Sequence, residues 1–148
     1  MAADVDYLLD CVPELRGRAA TIARALLPGP LTLILPNPAR RFRWITGPND
    51  AAIGVRVPEL HGPGADVLGR VGAVVATSAN LRGGRDPARL EEVPEEIQSG
   101  AGAVVDGGAL PGTPSTVVDL TGDEPKVLRE GAVLGADVTA RVAAALAG

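Results

Sequence analysis

Apolar residues fall into short runs separated by Gly, Pro and charged positions, and the period of each run names the element it predicts. Ala19, Ile22, Ala23 and Leu26 recur at i, i+3, i+4 and i+7, which predicts an amphipathic helix over 15–27 halted by Pro28-Gly29-Pro30. Leu31 to Leu35 and Ile53 to Val57 read as strands, the second closed by Pro58. Between them lies a polar loop, 37–50, holding Arg40, Arg41, Phe42, Arg43 and Trp44. The pattern further predicts a helix over 65–70, a third strand over 73–77, and one or two short helices over 87–98 interrupted near Pro94. Later strands are predicted over 103–105, 116–120 and 126–128. Val138, Val142 and Leu146, spaced by four, predict a C-terminal helix capped by Asp137 or a neighbour.

Helices alternate with strands early and strands cluster late, so the expected fold is α/β: a twisted mixed sheet flanked by helices. With 148 residues, no repeat and no internal linker, the chain reads as a single domain over 1–148. Hydrophobic content of 46% with only 2% aromatic implies a core of Val, Leu, Ile and Ala. The 19 glycines and 13 prolines punctuate the apolar runs and form no low-complexity block, which argues against disorder. Cys11 is the sole cysteine, so neither a disulfide framework nor a thiolate metal cluster is expected, in keeping with a reducing cytoplasm. A net charge of −4 gives no general attraction for nucleic acid, so any RNA contact needs a local basic patch. The start has no basic n-region, and the most apolar stretch, 22–35, is broken by Arg24, Pro28 and Pro30; no membrane association is expected.

Candidate chemistry begins at Ala76-Thr77-Ser78-Ala79-Asn80, which follows the apolar run 71–75 and precedes a glycine-bearing loop, 81–87. A strand ending in small hydroxyl residues presents backbone N–H groups, hydroxyls and an amide where an α/β sheet opens its ligand crevice. The same residues also suit an ordinary ST or Asx turn. Arg56 sits on a short apolar strand, an unusual place for a permanent charge unless it meets an anion; the plainer reading is an arginine on the solvent face of an edge strand.

Four further segments occur in order with that one: Pro28-Gly29-Pro30-Leu31-Thr32, Gly54-Val55-Arg56-Val57-Pro58, Thr113-Pro114-Ser115-Thr116-Val117 and Val127-Leu128-Arg129-Glu130-Gly131. Together they resemble the YrdC-like family over roughly residues 20–131, whose best understood members are threonylcarbamoyl-AMP synthases acting in tRNA modification. The resemblance implies a nucleotidyltransferase that joins L-threonine, bicarbonate and ATP, with Mg²⁺ carried by the triphosphate and no protein-bound metal. It implies L-threonine contacts from Arg56, Ala76 and Ser115, and ATP contacts from Ala52, Ser78, Asn80, Asp86 and Arg129, with Pro28-Gly29-Pro30 shaping the pocket wall. Threonylcarbamoyl-transferase proteins would act downstream in the cytoplasm. Nothing here matches the family's leading Pro-Thr-x-Thr-x-Tyr-Gly-Leu stretch and the Lys/Arg-rich segment after it. A partial, N-terminally truncated YrdC-like domain is therefore expected, with an uncovered sheet edge or apolar groove open to a homodimer, and with little or no product when assayed alone.

Other readings stand beside the synthase. Arg40, Arg41 and Arg43 interleaved with Phe42 and Trp44 fit a patch for tRNA or double-stranded RNA, or a solvated loop with its aromatics tucked against the core. A YrdC-like RNA-binding protein without synthase activity is the main alternative. A carbamoyl-transfer domain of the hydrogenase-maturation type ranks last, because no Cys-x-x-Cys occurs. Walker-type phosphate loops, nucleophile elbows and metal-ligand spacings are absent, and Glu91-Glu92 and Glu95-Glu96 look like a solvated helix face. His61 reads as a surface-loop residue.

Overall fold

The computed structural model describes residues 1–148. Its helices are α1 (Val5–Cys11), α2 (Arg18–Leu26), α3 (Arg43–Thr46), α4 (Pro63–Val71), α5 (Glu95–Gly100) and α6 (Gly135–Ala147), with a 3-10 turn at Leu90–Glu92. Its strands are β1 (Leu31–Pro36), β2 (Ala52–Val55), β3 (Thr116–Asp119) and β4 (Lys126–Arg129), ordered β2-β1-β3-β4. β1 runs parallel to β3, whereas β2 and β4 are antiparallel to their neighbours. This is the expected mixed α/β arrangement.

Alternation in β1 sets the geometry. Leu31, Leu33 and Leu35 are fully buried, while Thr32 and Ile34 between them are only half-buried. One face of the sheet therefore belongs to the core and the other stays partly open. The core continues through Val55, Val57, Val118 and Leu120 to Ile22, Ala23 and Leu26 of α2 and Val138 and Val142 of α6. Helices α2 and α6 pack against each other on that side.

Pro28-Gly29-Pro30 ties three elements together through its backbone. Gly29 N–H donates to the Val57 carbonyl at 2.9 Å, and the Pro30 carbonyl accepts from Thr116 N–H at 3.1 Å. The turn after α2 thus fixes the end of β2 against the beginning of β3, where the candidate site lies.

Differences from the sequence reading have local causes. Helix α2 starts at Arg18 and not at Leu15, because Gly17 takes a left-handed φ of 53° at the N-cap. Helix α1 was not anticipated; the Asp4 side chain caps it by accepting from Tyr7 N–H at 2.7 Å. Asp137 does not cap α6 but lies in its first turn, the N-cap being Leu134, and Glu130 Oε1 accepts from Gly135 N–H at 2.9 Å. Segments 73–77 and 103–105, both expected as strands, join no ladder. Only Ala73 forms a bridge, to Ala2, and Val74 N–H donates to the Met1 carbonyl at 2.9 Å. Val75, Val104 and Val105 are about half exposed. An apolar run becomes a strand only where a neighbouring backbone takes up its N–H and C=O groups. No helix is long and apolar enough to cross a membrane.

Candidate functional site

The open face of the sheet gathers side chains from β1 and β4 and from the residues just after β2 and just before β3. In β1 and β2 the antiparallel register pairs Leu33 with Val55, and one further step sets Thr32 beside Arg56. In β1 and β3 it pairs Thr32 with Val117, so Ser115, two residues earlier, shares its face. In β3 and β4 it pairs Val117 with Arg129. Arg56, Thr32, Ser115 and Arg129 thus share one side of the sheet by pleat parity.

Hydrogen bonds join the last three. Thr32 Oγ1 and Ser115 Oγ are 2.9 Å apart. Arg129 donates from Nη2 to Ser115 Oγ at 3.2 Å, and from Nε and Nη2 to the Ser115 carbonyl at 3.2 and 2.9 Å. Its Nη1 makes no hydrogen bond within the chain. Arg56 makes none from its side chain, and its Nε is buried without a partner. Burial lowers the Arg56 pKa from the ordinary arginine value, and the charge of Arg129 adds to the effect. Two guanidinium groups that feel each other, neither in a salt bridge, make a place where an anion is favoured.

Thr116 supports the cluster from the core side. Its fully buried hydroxyl donates to the Val133 carbonyl at 2.6 Å and accepts from Gly131 and Val133 N–H at 2.9 and 3.1 Å. Every hydrogen-bonding site of that hydroxyl is used, which pins the chain just after Arg129 against β3. Gly131 is required here because an added Cβ would lie 2.6 Å from the Ser115 carbonyl carbon.

The remaining candidate residues occupy other places. Ala52 begins β2, opposite Pro36, on the same pleat face as Arg56 but at the far end of the strand. Ala76 and Ser78 lie exposed in the segment after α4, and neither Ser78 nor Asp86 hydrogen-bonds through its side chain. Asn80 contacts the glycine-bearing loop without forming an Asx turn: its Nδ2 donates to the carbonyls of Leu81 and Gly84 at 3.0 and 2.8 Å, while its Oδ1, the atom an Asx turn would use, is buried without a partner. No hydrogen bond or salt bridge joins these residues to the cluster.

Arginines of the polar loop are paired with acids. Arg41 forms a bidentate contact with Glu14 at 2.7–2.9 Å, and Arg40 and Arg43 lie 3.6 and 3.3 Å from Asp50. Hydrogen bonding from Arg41 is the main reason the Glu14 pKa falls below its ordinary value. Phe42 packs partly against the core and meets Trp44 edge to face at 6.5 Å, while Trp44 is 74% exposed. Cys11 is half-buried against the core and His61 is exposed.

Comparison with known proteins decides the family. The Sua5/YciO/YrdC family model, described as telomere recombination, matches residues 1–131. The chain belongs to this family. A putative threonylcarbamoyl-AMP synthase of Mycobacterium tuberculosis is 33% identical over 116 residues, covering 78% of this chain and 52% of that protein. The threonylcarbamoyl-AMP synthase of Pyrococcus abyssi is 35% identical over 132 residues, covering 87% of this chain and 38% of the relative. The solved structure of a doubly substituted P. abyssi Sua5 aligns with a TM-score of 0.72 at 27% identity, covering 93% of this chain and 50% of the other. The chain spans about half or less of the length of these Sua5/YciO/YrdC relatives.

Proposed function

We propose that this chain forms the part of a threonylcarbamoyl-AMP synthase site that sets an amino-acid carboxylate beside an adenylate. One observation carries the reading: Arg56, with a buried and unpartnered Nε, and Arg129, charged against it, flank the Ser115 hydroxyl with no acid paired to either. A bound carboxylate or phosphate would relieve both the unmet hydrogen bond and the repulsion. Relatives named threonylcarbamoyl-AMP synthase supply the substrate class.

In the proposed reaction the amine of L-threonine attacks the bicarbonate carbon, forming the N–C bond of a carbamate as water leaves. A carbamate oxygen attacks the α-phosphorus of ATP, the bond to the β-phosphate bridging oxygen breaks, and pyrophosphate leaves. Arg56 and Ser115 hold the threonine carboxylate, the backbone at Ala76 borders it, and Arg129 reaches the nucleotide with its unused Nη1. Ala52, Ser78, Asn80 and Asp86 border the nucleotide further out, and Mg²⁺ arrives with the triphosphate as part of the substrate. Catalysis on this account is positioning and charge neutralisation of the reacting oxygens.

Isothermal titration of L-threonine and of ATP tests this directly. Saturable binding of both is expected, with Arg56→Ala weakening L-threonine and Arg129→Ala weakening ATP by about tenfold or more, the scale of a lost charge-assisted hydrogen bond. A chain that binds neither ligand overturns the reading. In any preparation that releases pyrophosphate from ATP, release must require threonine and bicarbonate together.

A second reading, RNA binding without synthase chemistry, draws on Trp44 at 74% exposure, next to Arg43 and four residues from Arg40, whose side chains keep 67% and 57% of their surface in solvent. Exposed ion pairs of this kind are weak and phosphates compete with them. A salt-dependent affinity for tRNA or double-stranded RNA that falls when Arg40, Arg41 and Arg43 are replaced would support it; salt-independent binding would remove it. Under the synthase reading the product is consumed in the cytoplasm by threonylcarbamoyl-transferase proteins, and the unladdered segments 73–77 and 103–105 offer backbone edges to a second copy.

A further inference from the structure

We propose that Thr32, a residue assigned no role above, is a ligand-binding residue of the same anion site and the outward end of a directed chain of hydroxyls. The proposal rests on the anion-site reading, though not on which anion is bound.

The direction of the chain follows from donor and acceptor counts. Arg129 can only donate, so its Nη2 at 3.2 Å makes Ser115 Oγ an acceptor. Ser115 is 5% exposed, and a buried hydroxyl proton needs an acceptor. The side-chain oxygen within reach is Thr32 Oγ1 at 2.9 Å. Donation from Ser115 to Thr32 satisfies the buried group and leaves the Thr32 proton without an acceptor inside the chain. Thr32 is less buried than Ser115 and sits on the open face, between Arg56 on one neighbouring strand and Ser115 and Arg129 on the other side. Each donor in such a chain polarises the next, so the Thr32 O–H is strengthened as a donor by the charge of Arg129. As a β-branched strand residue, Thr32 has restricted χ1 freedom, which keeps the hydroxyl aimed without further ordering on binding. Ile34, the next residue on that face, has no donor to offer, so the threonine is the one hydroxyl that β1 contributes between the arginines.

A double-mutant cycle on the 148-residue chain tests the proposal, with L-threonine, ATP and inorganic pyrophosphate titrated separately. Thr32→Val, close in shape, is expected to weaken at least one of the three by about threefold to tenfold and to lower the thermal midpoint slightly, since the buried Ser115 proton loses its acceptor; Thr32→Ser is expected to restore both, with affinity within about twofold. In a Ser115→Ala background the cost of Thr32→Val should shrink, because the hydroxyl chain is already broken. Unchanged affinity in Thr32→Val overturns the proposal. So does a Thr32→Ser variant as weak as the valine, which would mark a packing role, or full additivity with Ser115→Ala. Should Thr32→Val not fold, Thr32→Ala against Thr32→Ser makes the same comparison. Binding of pyrophosphate without L-threonine or ATP would sink the synthase reading while the cycle still decided Thr32. Binding of none of the three would overturn both.

Discussion

The two faces of the same four strands obey different rules. On the core face Leu31, Leu33, Leu35, Val55 and Val118 pack against α2 and α6, and each is 4% exposed or less. On the open face Thr32, Arg56 and Arg129 carry polar groups that the chain leaves partly unmatched, including a buried Arg56 Nε without a partner. One face is finished by the chain's own residues and the other is not. Stability is concentrated where every group has found a neighbour, and binding where one has not.

The contrast breaks most sharply at Leu33. Removing its fully buried side chain as Leu33→Ala should cost about 3 kcal/mol of unfolding free energy in urea denaturation, whereas Ile34→Ala, half-buried on the other face, should cost about 1 kcal/mol. Equal losses would show that the faces are not distinguished as described. Gly131→Ala probes the seam between them. An added Cβ would press on the Ser115 backbone, so a loss of about 2 kcal/mol in stability is expected together with weaker ligand binding.

Arg56→Met sharpens the comparison because its two effects point in opposite directions. Removing a half-buried guanidinium that has no partner should leave stability unchanged or raise it by up to about 1 kcal/mol, while L-threonine affinity falls by about tenfold. A variant that loses both would place Arg56 among the structural residues. The smallest effect concerns Asp119 at the end of β3. Hydrogen bonds from the Thr121 hydroxyl and N–H hold its pKa below the ordinary value, so its folded carboxylate is favoured. The associated stability is present above the unfolded-state pKa and is lost as pH falls through the folded one. Asp119→Asn should therefore reduce stability by less than about 1 kcal/mol at neutral pH and flatten the acid limb, as read by denaturation at pH 7 and below pH 4.

Much of this fold was legible because alternation and helical spacing report burial directly. Leu31, Leu33 and Leu35 announce β1 and its buried side, and the spacing of Ile22, Ala23 and Leu26 announces the inner face of α2. The signal for α1 lies in Asp4 followed by Val5, Leu8, Leu9 and Val12 at helical spacing, and a helix of seven residues is too short for that period to stand out. In the candidate site, Arg56 stands out as a charge on a short apolar strand, whereas Ser115 and Arg129 are marked only by the family resemblance. Thr32 stood in the same kind of position as Arg56, inside Leu31-Thr32-Leu33, and gained meaning only when Ser115 was found across the strand boundary. The opposite error occurred at 73–77 and 103–105, where side-chain pattern suggested strands and no neighbouring backbone completed a ladder.

Sequence by itself determined which residues seek the interior, where helices and turns fall, and which family the chain resembles, because these rest on side-chain chemistry read over short spans. Tertiary structure alone decided that β1 lies between β2 and β3, and hence that Arg56, Thr32, Ser115 and Arg129 meet on one face. Strand order is fixed by backbone hydrogen bonds between segments far apart in the chain, and each backbone offers the same N–H and C=O groups whatever its side chains are.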